Sequence, residues 1–254
     1  MATDSAQYPV PKTEAAPGPR TSPLIQSCRR ASVELDDQQP EGTLMDITTV
    51  DRDRAAQYTD DVVELVYNSG PPTYDYQFVT RAAFDRLIGD SWLAEGTLCG
   101  YDGTTVALED DDLLGIEIGY AGPEFDRRKK TLRPLWESII EDGAVTHDEL
   151  AEIARRSYLA SYLNAAIPAS AYYVHALSVR PDHHGQGIGA ALMKDAIDRA
   201  ADEGYRVVHL DVLSDNPAVK FYEAFGFEVL AQTVAPIPHS HGVPMEQRMS
   251  LDLR

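Results

Sequence analysis

Beyond residue 42 the hydrophobic positions follow regular spacings that predict strands and helices. Leu44, Ile47 and Val50 indicate a strand, and the apolar residues of the segment 55–67 recur at helical spacing. A second helix is predicted to begin after Thr80. The chain therefore opens with a strand followed by two helices.

The middle of the chain predicts a hairpin and then a helical region. Strands are predicted at residues 104–109 and 113–120, separated by a turn of three consecutive aspartates, 110–112. Consecutive carboxylates in such a turn point in divergent directions, so a turn is favoured over a metal site. Residues 122–170 are predicted to be helical, and residues 146–149 match a capping box that would begin one of these helices.

The last third of the chain alternates between strand and helix spacing. The helix predicted at 187–203 carries apolar residues at every fourth position, so one of its faces would pack on a sheet. The predicted elements are strands at 172–179, 206–213, 227–233 and 245–253, and helices at 187–203 and 216–224.

Composition narrows the classes of function. The net charge of −19, from 41 acidic and 22 basic residues, argues against a nucleic-acid partner, because phosphate backbones are held by clustered Lys and Arg. No apolar run approaches about 18 residues, so no membrane association is expected. Cys28 and Cys99 have no metal-type spacing and make no disulfide framework, which favours a reducing, cytoplasmic location.

Residues 1–42 have a different composition from the rest of the chain. They are rich in Pro, Ser, Gln and charged residues, and they show neither strand nor helix periodicity. Such a segment buries too little apolar surface to offset its chain entropy. We predict a disordered tail at 1–42 and one domain at 43–254.

A glycine-rich loop lies between the predicted strand 172–179 and the helix that follows it. Gly185, Gly187 and Gly189 would let backbone N–H groups converge on an anion at the positive end of the helix dipole. This arrangement suits a pyrophosphate. Gly185, Gly187 and Ala190 also satisfy a dinucleotide fingerprint, with Asp211 following at the expected distance, although only one βαβ unit is present.

The segment 216–227 carries a second signal. Asn216, Pro217 and Gly226 suit the start and the end of a short helix. Helix-forming requirements do not explain Tyr222, which would project near the groove that the glycine loop opens.

Together these features resemble the GNAT superfamily of N-acetyltransferases. The loop at 184–189 is similar to the Q/R-x-x-G-x-G/A signature of that family, and residues 216–227 are similar to its N-P-A-x-x-F-Y-x-x-x-G-F element. The resemblance implies an α/β fold with a mixed α+β sheet. In that fold residues 122–170 would be a helical insertion between the third and fourth strands.

The resemblance also implies acetyl-CoA as the co-substrate, without a metal. Main-chain groups of Leu177, Ser178 and Val179 would bind the pantetheine and polarise the thioester carbonyl. His184 stands where the family usually has Arg or Gln, so a phosphate contact from that side chain would be weaker or depend on protonation. The loop residues implied in binding are His184, Gly185, Gln186, Gly187, Ile188, Gly189 and Ala190.

The implied reaction is direct transfer of an acetyl group to a primary amine of a small molecule or peptide in a ternary complex. Asn216 would bond the pantetheine or anchor its helix, and Tyr222 would protonate the departing thiolate. A homodimer is compatible with the resemblance. A catalytically silent acyl-CoA sensor of the same fold, and less so an NAD-binding oxidoreductase, remain alternatives.

The general base is left open between two residues. His175 is two positions from Leu177, so the strand period would place both on one face, and Glu117 is the only acid inside the neighbouring strand. His239 and His241, without a further Cys or His cluster, are weak candidates for a metal site and equally suit a loop at the acceptor pocket.

Overall fold

The computed structural model describes residues 45–161 and 166–253. The segment 1–42 lies outside the described residues, so its disorder stays a prediction. The described residues form one seven-stranded sheet with helices packed on both faces. The strands are β1 Asp46–Thr48, β2 Thr104–Glu109, β3 Asp112–Ala121, β4 Ala171–Val179, β5 Val207–Leu213, β6 Glu228–Thr233 and β7 Glu246–Asp252.

The helices that the sequence predicted lie between the strands in the predicted order. Three of them, α5 to α7, occupy the connection between β3 and β4. Their bounds are α1 Arg52–Ala55, α2 Thr59–Ser69, α3 Pro71–Gln77, α4 Arg81–Trp92, α5 Glu124–Lys130, α6 Leu132–Glu141, α7 His147–Ala160, α8 Ile188–Asp202, α9 Ala218–Ala224 and α10 Pro236–Ser240.

The sheet has the strand order β1-β2-β3-β4-β5-β7-β6. All of its pairings are antiparallel except that of β4 with β5. A dinucleotide-binding fold requires two mononucleotide halves built from parallel strands. The alternative of an NAD-binding oxidoreductase is therefore wrong for this sheet.

Two local predictions are confirmed in detail. Asp110 and Asp111 form the turn between β2 and β3 with φ values of 50° and 69°, the left-handed geometry of a tight hairpin. At the start of α7, the Thr146 hydroxyl accepts from the Glu149 amide at 3.2 Å, and the Glu149 carboxylate accepts from the Thr146 amide at 2.8 Å. This reciprocal pair is the predicted capping box.

Besides α1, two further short helices were not predicted. Helix α3 begins with Pro71 and Pro72, and α10 begins with Pro236, in each case within the first turn, where a missing N–H costs least. Both are seven residues or shorter. Such lengths contain too few helical repeats to reveal a periodicity.

The two faces of the sheet are covered by different helices. Helix α8 packs on one face through Ile188, Leu192 and Ala196, all buried. Helices α2 and α4 cover the other face, where the Trp92 indole N–H donates to the Ala55 carbonyl at 2.7 Å. Each large side chain buried in this way stabilises the fold by about 1.5–3 kcal/mol.

The edge of the sheet at β6 is exposed. Apolar side chains are accessible on and near this edge, namely those of Val229, Leu230, Val234, Ile237 and Met245.

Among the described residues, no helix has the length and apolar character of a membrane span.

Candidate active site

A cleft opens where β4 and β5 separate. The two strands pair only from Ala171 with Val207 to Val174 with Leu210. Beyond Val174 the facing edge of β4 has no strand beside it among the described residues, and a cavity of about 730 Å³ lies in the gap. We call this cavity, bounded by β4, β5, the glycine loop and α9, the cleft.

The glycine loop borders the cleft and leads directly into α8. Gly185 and Gly187 have φ values of 79° and 85°, a conformation that side chains strongly disfavour. The first amides of α8 have no intrahelical partners and lie at the positive end of the helix dipole. No side chain of the described residues caps this N-terminus, so these amides can bind an anion. Gly187, Ile188, Gly189 and Ala190 all line the cleft, whereas Gln186 does not, and their binding of a pyrophosphate stays a prediction.

The His184 ring is engaged within the loop. Its Nε2 lies 2.9 Å from the Val179 carbonyl oxygen, so the ring donates back to the end of β4. The side chain therefore fastens the loop to the strand. Its exposed ring contributes less directly to anion binding than an Arg at this position would.

Main-chain groups of β4 alternate between β3 and the cleft. The Arg180 amide donates to Leu114 on β3 at 2.8 Å, and strand alternation then turns the Ser178 groups towards β3 as well. The main-chain groups of Leu177 and Val179 face the cleft. Because the Val179 carbonyl already accepts from His184, the Leu177 groups and the Val179 amide are the donors and acceptors that β4 offers there.

Helix α9 forms the opposite wall. The Asn216 side chain accepts from the Ala218 amide at 2.9 Å and so caps the start of this helix. Tyr222 lines the cleft and is almost fully buried, and that burial raises the pKa of its phenol above the ordinary value. The phenol therefore carries its proton at neutral pH.

A bulge in β4 changes the predicted position of His175. Ile118 pairs with Ala176 and Gly119 with Val174, so His175 is the unpaired extra residue. Its ring packs beside Tyr173 on the face away from α8, whereas Leu177 packs towards α8. The expectation that His175 and Leu177 share a face is wrong, because the bulge interrupts the period of two.

The second candidate base, Glu117, lies on the face covered by α8. Its fully buried carboxylate pairs with Arg199 at 2.6 Å and accepts from the Tyr172 hydroxyl at 3.2 Å. Burial raises the pKa of Glu117, although Arg199 opposes the rise. Glu117 pairs with Leu177 across β3 and β4, but it is not among the residues that line the cleft or the second cavity described below, so its carboxylate is buried away from both.

A second cavity of about 840 Å³ lies on the opposite side of the sheet from α8. Residues of α3 to α7 form much of its wall, including Tyr74, Phe78, Trp136 and Ile153. We call it the helical cavity. It shares four lining residues with the cleft, and these define the junction of the two: Ser69, His175, Asp211 and Val212.

His175 occupies the junction in a neutral state. Burial lowers the pKa of its imidazole to about 4, and the nearby Lys129 charge acts in the same direction. Tyr120 and Phe125 pack beside the ring, with centroids 6.1 and 5.9 Å away. The ring is therefore uncharged at neutral pH.

Asp211 at the junction is held by an internal ion pair. The Arg248 guanidinium contacts both carboxylate oxygens, one of them at 2.7 Å, and the Tyr173 hydroxyl donates to the same carboxylate at 3.0 Å. A carboxylate with these partners is oriented and charge-compensated. Asp211 is thereby unavailable for the ribose contact considered under the dinucleotide alternative.

Glu246 was not identified from the sequence. It lies at the start of β7, opposite Leu213, and lines the helical cavity. Burial and the Asp211 charge raise the pKa of Glu246 to about 8. The only signal in the sequence is Glu246 and Arg248 at strand spacing, an alternation that many exposed strands share.

The described residues contain no group of three or more His, Cys, Asp or Glu side chains placed to hold a metal ion. His239 is engaged with the Val243 carbonyl at 3.0 Å, and His241 stacks against Tyr76. Neither histidine lines the cleft or the helical cavity, so the expectation that their loop lines an acceptor pocket is wrong.

A mixed sheet that opens beside a glycine loop at a helix N-terminus defines the class of the acyl-CoA N-acyltransferase fold. A family model described as the acetyltransferase (GNAT) family matches residues 66–227. The chain belongs to this family.

Sequence relatives and a solved structure agree with this assignment. An uncharacterized N-acetyltransferase of Methanocaldococcus jannaschii is 45% identical over 56 residues, 22% of this chain and 25% of the relative. The L-amino acid N-acyltransferase MnaT of Escherichia coli is 39% identical over 59 residues, 23% of this chain and 34% of the relative. The matched segments thus span about a quarter to a third of the length of these curated relatives.

The solved structure of an N-acetyltransferase from Staphylococcus aureus Mu50 superposes with a TM-score of 0.61. It is 15% identical in sequence, and the superposition covers 81% of this chain and all of that one. At this identity the similarity shows the fold.

Proposed function

We propose that the protein transfers an acetyl group from acetyl-CoA to a primary amine of a small molecule or peptide. The observation that carries the proposal is that two separate cavities meet at Ser69, His175, Asp211 and Val212. A transfer between two bound substrates requires such a meeting point. Holding both reactants in contact supplies much of the rate acceleration of a bimolecular step.

In this proposal the cleft is the donor site. The first-turn amides of α8 and the glycine loop bind the pyrophosphate. The free main-chain groups of Leu177 and Val179 align the pantetheine beside β4 and polarise the thioester carbonyl. Asn216 acts by fixing α9, which in turn holds Tyr222 at the cleft wall.

Tyr222 is the proposed general acid. Its phenol is protonated at neutral pH and lines the cleft, so it can deliver a proton to the departing thiolate. The amine attacks the thioester directly in a ternary complex. Because the nucleophile is the substrate amine, no covalent intermediate with the protein is needed.

The helical cavity is the proposed acceptor site. The connection between β3 and β4 supplies Trp136, Leu150 and Ile153 to its wall, which supports the prediction that the helical region 122–170 covers the acceptor. Aromatic and aliphatic side chains make up much of the lining, as in many small-molecule sites. A cytoplasmic location and a homodimer stay predictions.

The proposal is tested by thiol release. Purified protein with acetyl-CoA and a panel of amines should release CoA thiol only when an amine is present. Tyr222→Phe should lower kcat by about 10²–10⁴, the usual contribution of a positioned acid, while the thermal shift caused by acetyl-CoA is kept. Tyr205→Phe, which changes another tyrosine outside both cavities, is the matched control.

Three results would count against the proposal. Without a thermal shift from acetyl-CoA the donor site is wrongly assigned, and unchanged turnover in Tyr222→Phe removes the role of the acid. A thermal shift from acetyl-CoA without turnover of any amine would instead favour the silent sensor.

A further inference from the structure

Three carboxylates line the helical cavity, and they differ in how their charge is compensated. Asp211 is paired with Arg248, and Glu137 lies 3.2 Å from Arg133. For Glu246, no ion pair is found among the described residues, and its Oε2 is buried without a hydrogen-bond partner there. A buried oxygen in this state is costly unless a ligand or water satisfies it.

The surroundings of Glu246 explain why its charge is disfavoured. The titratable and charged groups near it are Tyr74 on α3, Tyr173 on β4, Asp211 on β5 and Arg248 on β7. Asp211 opposes ionisation of Glu246, and Arg248, which favours it, is already committed to Asp211. Lys129, Lys130 and Arg133 also line the helical cavity, on the α5–α6 side of its wall. A cation that enters the cavity would find Glu246 as the carboxylate still in need of a partner.

We propose that Glu246 binds the ammonium group of the acceptor in the helical cavity and removes its first proton. The inference rests on the proposed acetyl transfer and adds both the base and the substrate class, a cationic primary amine. Glu246 pairs across the sheet with Leu213, the residue directly after the junction residues Asp211 and Val212, so the amine would lie next to the junction.

The proton balance of this step is closed. One proton passes from the ammonium nitrogen to the Glu246 carboxylate, and the freed nitrogen lone pair attacks the thioester carbonyl. The C–S bond breaks and Tyr222 protonates the sulfur. The nitrogen then loses its second proton to solvent, and solvent returns a proton to the Tyr222 phenolate. Glu246 finally releases its own proton to solvent. One proton is released per turnover.

Glu246 is a better match to this task than His175. An alkyl ammonium has a pKa of about 10.4, and proton transfer is most efficient between groups whose pKa values are close. The pKa of Glu246 is about 8, whereas that of His175 is about 4. His175, at the bulge, lines the junction, and its low pKa makes it a weak base for an alkyl ammonium.

The test compares wild type, Glu246→Gln, Glu246→Asp and the control Glu228→Gln, which changes an exposed glutamate on β6. The probes are 2-phenylethylamine, n-pentylamine, 1,5-diaminopentane and L-phenylalanine. For the best acceptor, kcat/KM of the wild type should rise with pH to about 8 and fall above about 10.4, as the amine loses its proton.

Glu246→Gln should lower kcat/KM at pH 7.5 by about 10²–10⁴ and move the rising limb to the pKa of the amine. Glu246→Asp should restore part of the activity, and Glu228→Gln should behave as wild type. Aniline, an arylamine that is neutral at pH 7.5, is added as a fifth probe, and its turnover should fall much less in Glu246→Gln than the turnover of the alkylamines does. All variants should keep the thermal shift with acetyl-CoA.

The outcomes separate this inference from the proposed function. An unchanged pH profile in Glu246→Gln, or an equal loss with arylamine and alkylamine, overturns the inference and leaves the acetyl transfer standing. A wild type that binds acetyl-CoA but neither binds nor acetylates any of the four alkylamines also overturns the inference. A wild type that does not bind acetyl-CoA overturns the proposed function itself.

Discussion

Two glutamates on opposite faces of the sheet, one fully buried and one partly buried, differ in the partners of their carboxylates. Glu117, on the α8 face, is fully enclosed and bonded to Arg199 and Tyr172. Glu246, on the face of the helical cavity, has a buried oxygen without a partner among the described residues. Burial raises the pKa of both. The partners, rather than burial, separate a structural carboxylate from one that is prepared for a ligand.

The largest expected effect on stability is at Glu117. Glu117→Ala leaves the Arg199 charge without its partner, and breaking buried pairs costs about 3–5 kcal/mol. Because the Arg199 side chain is 35% exposed, we expect a cost at or below the lower limit of that range, about 2–3 kcal/mol. Urea unfolding measures the change, and kcat per folded molecule should be retained.

Asp198→Asn is the matched control, since its ion pair with Lys194 is mostly exposed and should contribute less than about 1 kcal/mol. A loss of kcat in folded Glu117→Ala would break the comparison, because Glu117 would then act in the reaction.

The next effect is the pH dependence of stability at Glu246. Its pKa is raised from 4.5 to about 8, so the folded state holds a proton that the unfolded state loses between these values. Stability therefore falls as pH rises from about 4.5 to about 8. Glu246→Gln should gain about 2 kcal/mol relative to wild type between pH 5 and pH 8, after allowance for partial exposure. Thermal unfolding at several pH values measures the difference; a constant difference would contradict the raised pKa.

A smaller effect is expected at Gly119, next to the Glu117 network. A Cβ there would lie within 2.3 Å of the Tyr172 hydroxyl and would also meet the Glu117 carboxylate. Gly119→Ala should cost about 1–3 kcal/mol, the usual effect of overpacking a buried site. Gly89→Ala on α4 is the control, because its nearest contact is an ordinary 3.4 Å and alanine favours a helix. Equal stability of the two variants would show that the Glu117 and Tyr172 side chains can shift to accommodate the added methyl group at little cost in free energy.

The smallest effect is expected on the helical-cavity side, at Thr146. Thr146→Ala removes the cap of α7 and should cost about 1 kcal/mol. Since α7 contributes Leu150 and Ile153 to the cavity wall, KM for the acceptor should rise while acetyl-CoA binding is unchanged. Thr131→Ala, at the start of α6, serves as a comparison at a position that lacks a side-chain cap. A shift of acetyl-CoA affinity instead would show that the two cavities are coupled.

Much of the cleft could be predicted from local sequence. The glycines at 185 and 187 adopt the left-handed conformations that only their residue type accepts without strain. Asn216 caps α9, and Tyr222 lines the cleft, because a short helix with defined ends projects its side chains predictably. These features depend on neighbours within a few residues along the chain.

The surroundings of the helical cavity could not be predicted in the same way. The bulge at His175 turns that residue to the other face of the sheet. A bulge depends on how β3 and β4 pair and not on either strand alone, so the sequence of β4 did not reveal it. Glu117 was an equal candidate for the general base because it is the only acid inside the strand next to β4. Its distance from both cavities follows from α8 covering that face.

The sequence by itself determined the family, the order of the main elements and the donor loop, because these depend on periodicity, caps and glycine conformations that act locally. Only the tertiary structure decided which carboxylate is satisfied. Arg199 reaches Glu117 from 82 residues along the chain, and Arg248 holds Asp211 from 37 residues away. Glu246 keeps a buried oxygen without a hydrogen-bond partner among the described residues, because Arg199 and Arg248 are bonded to the other two carboxylates, and no local pattern in the sequence carries that information.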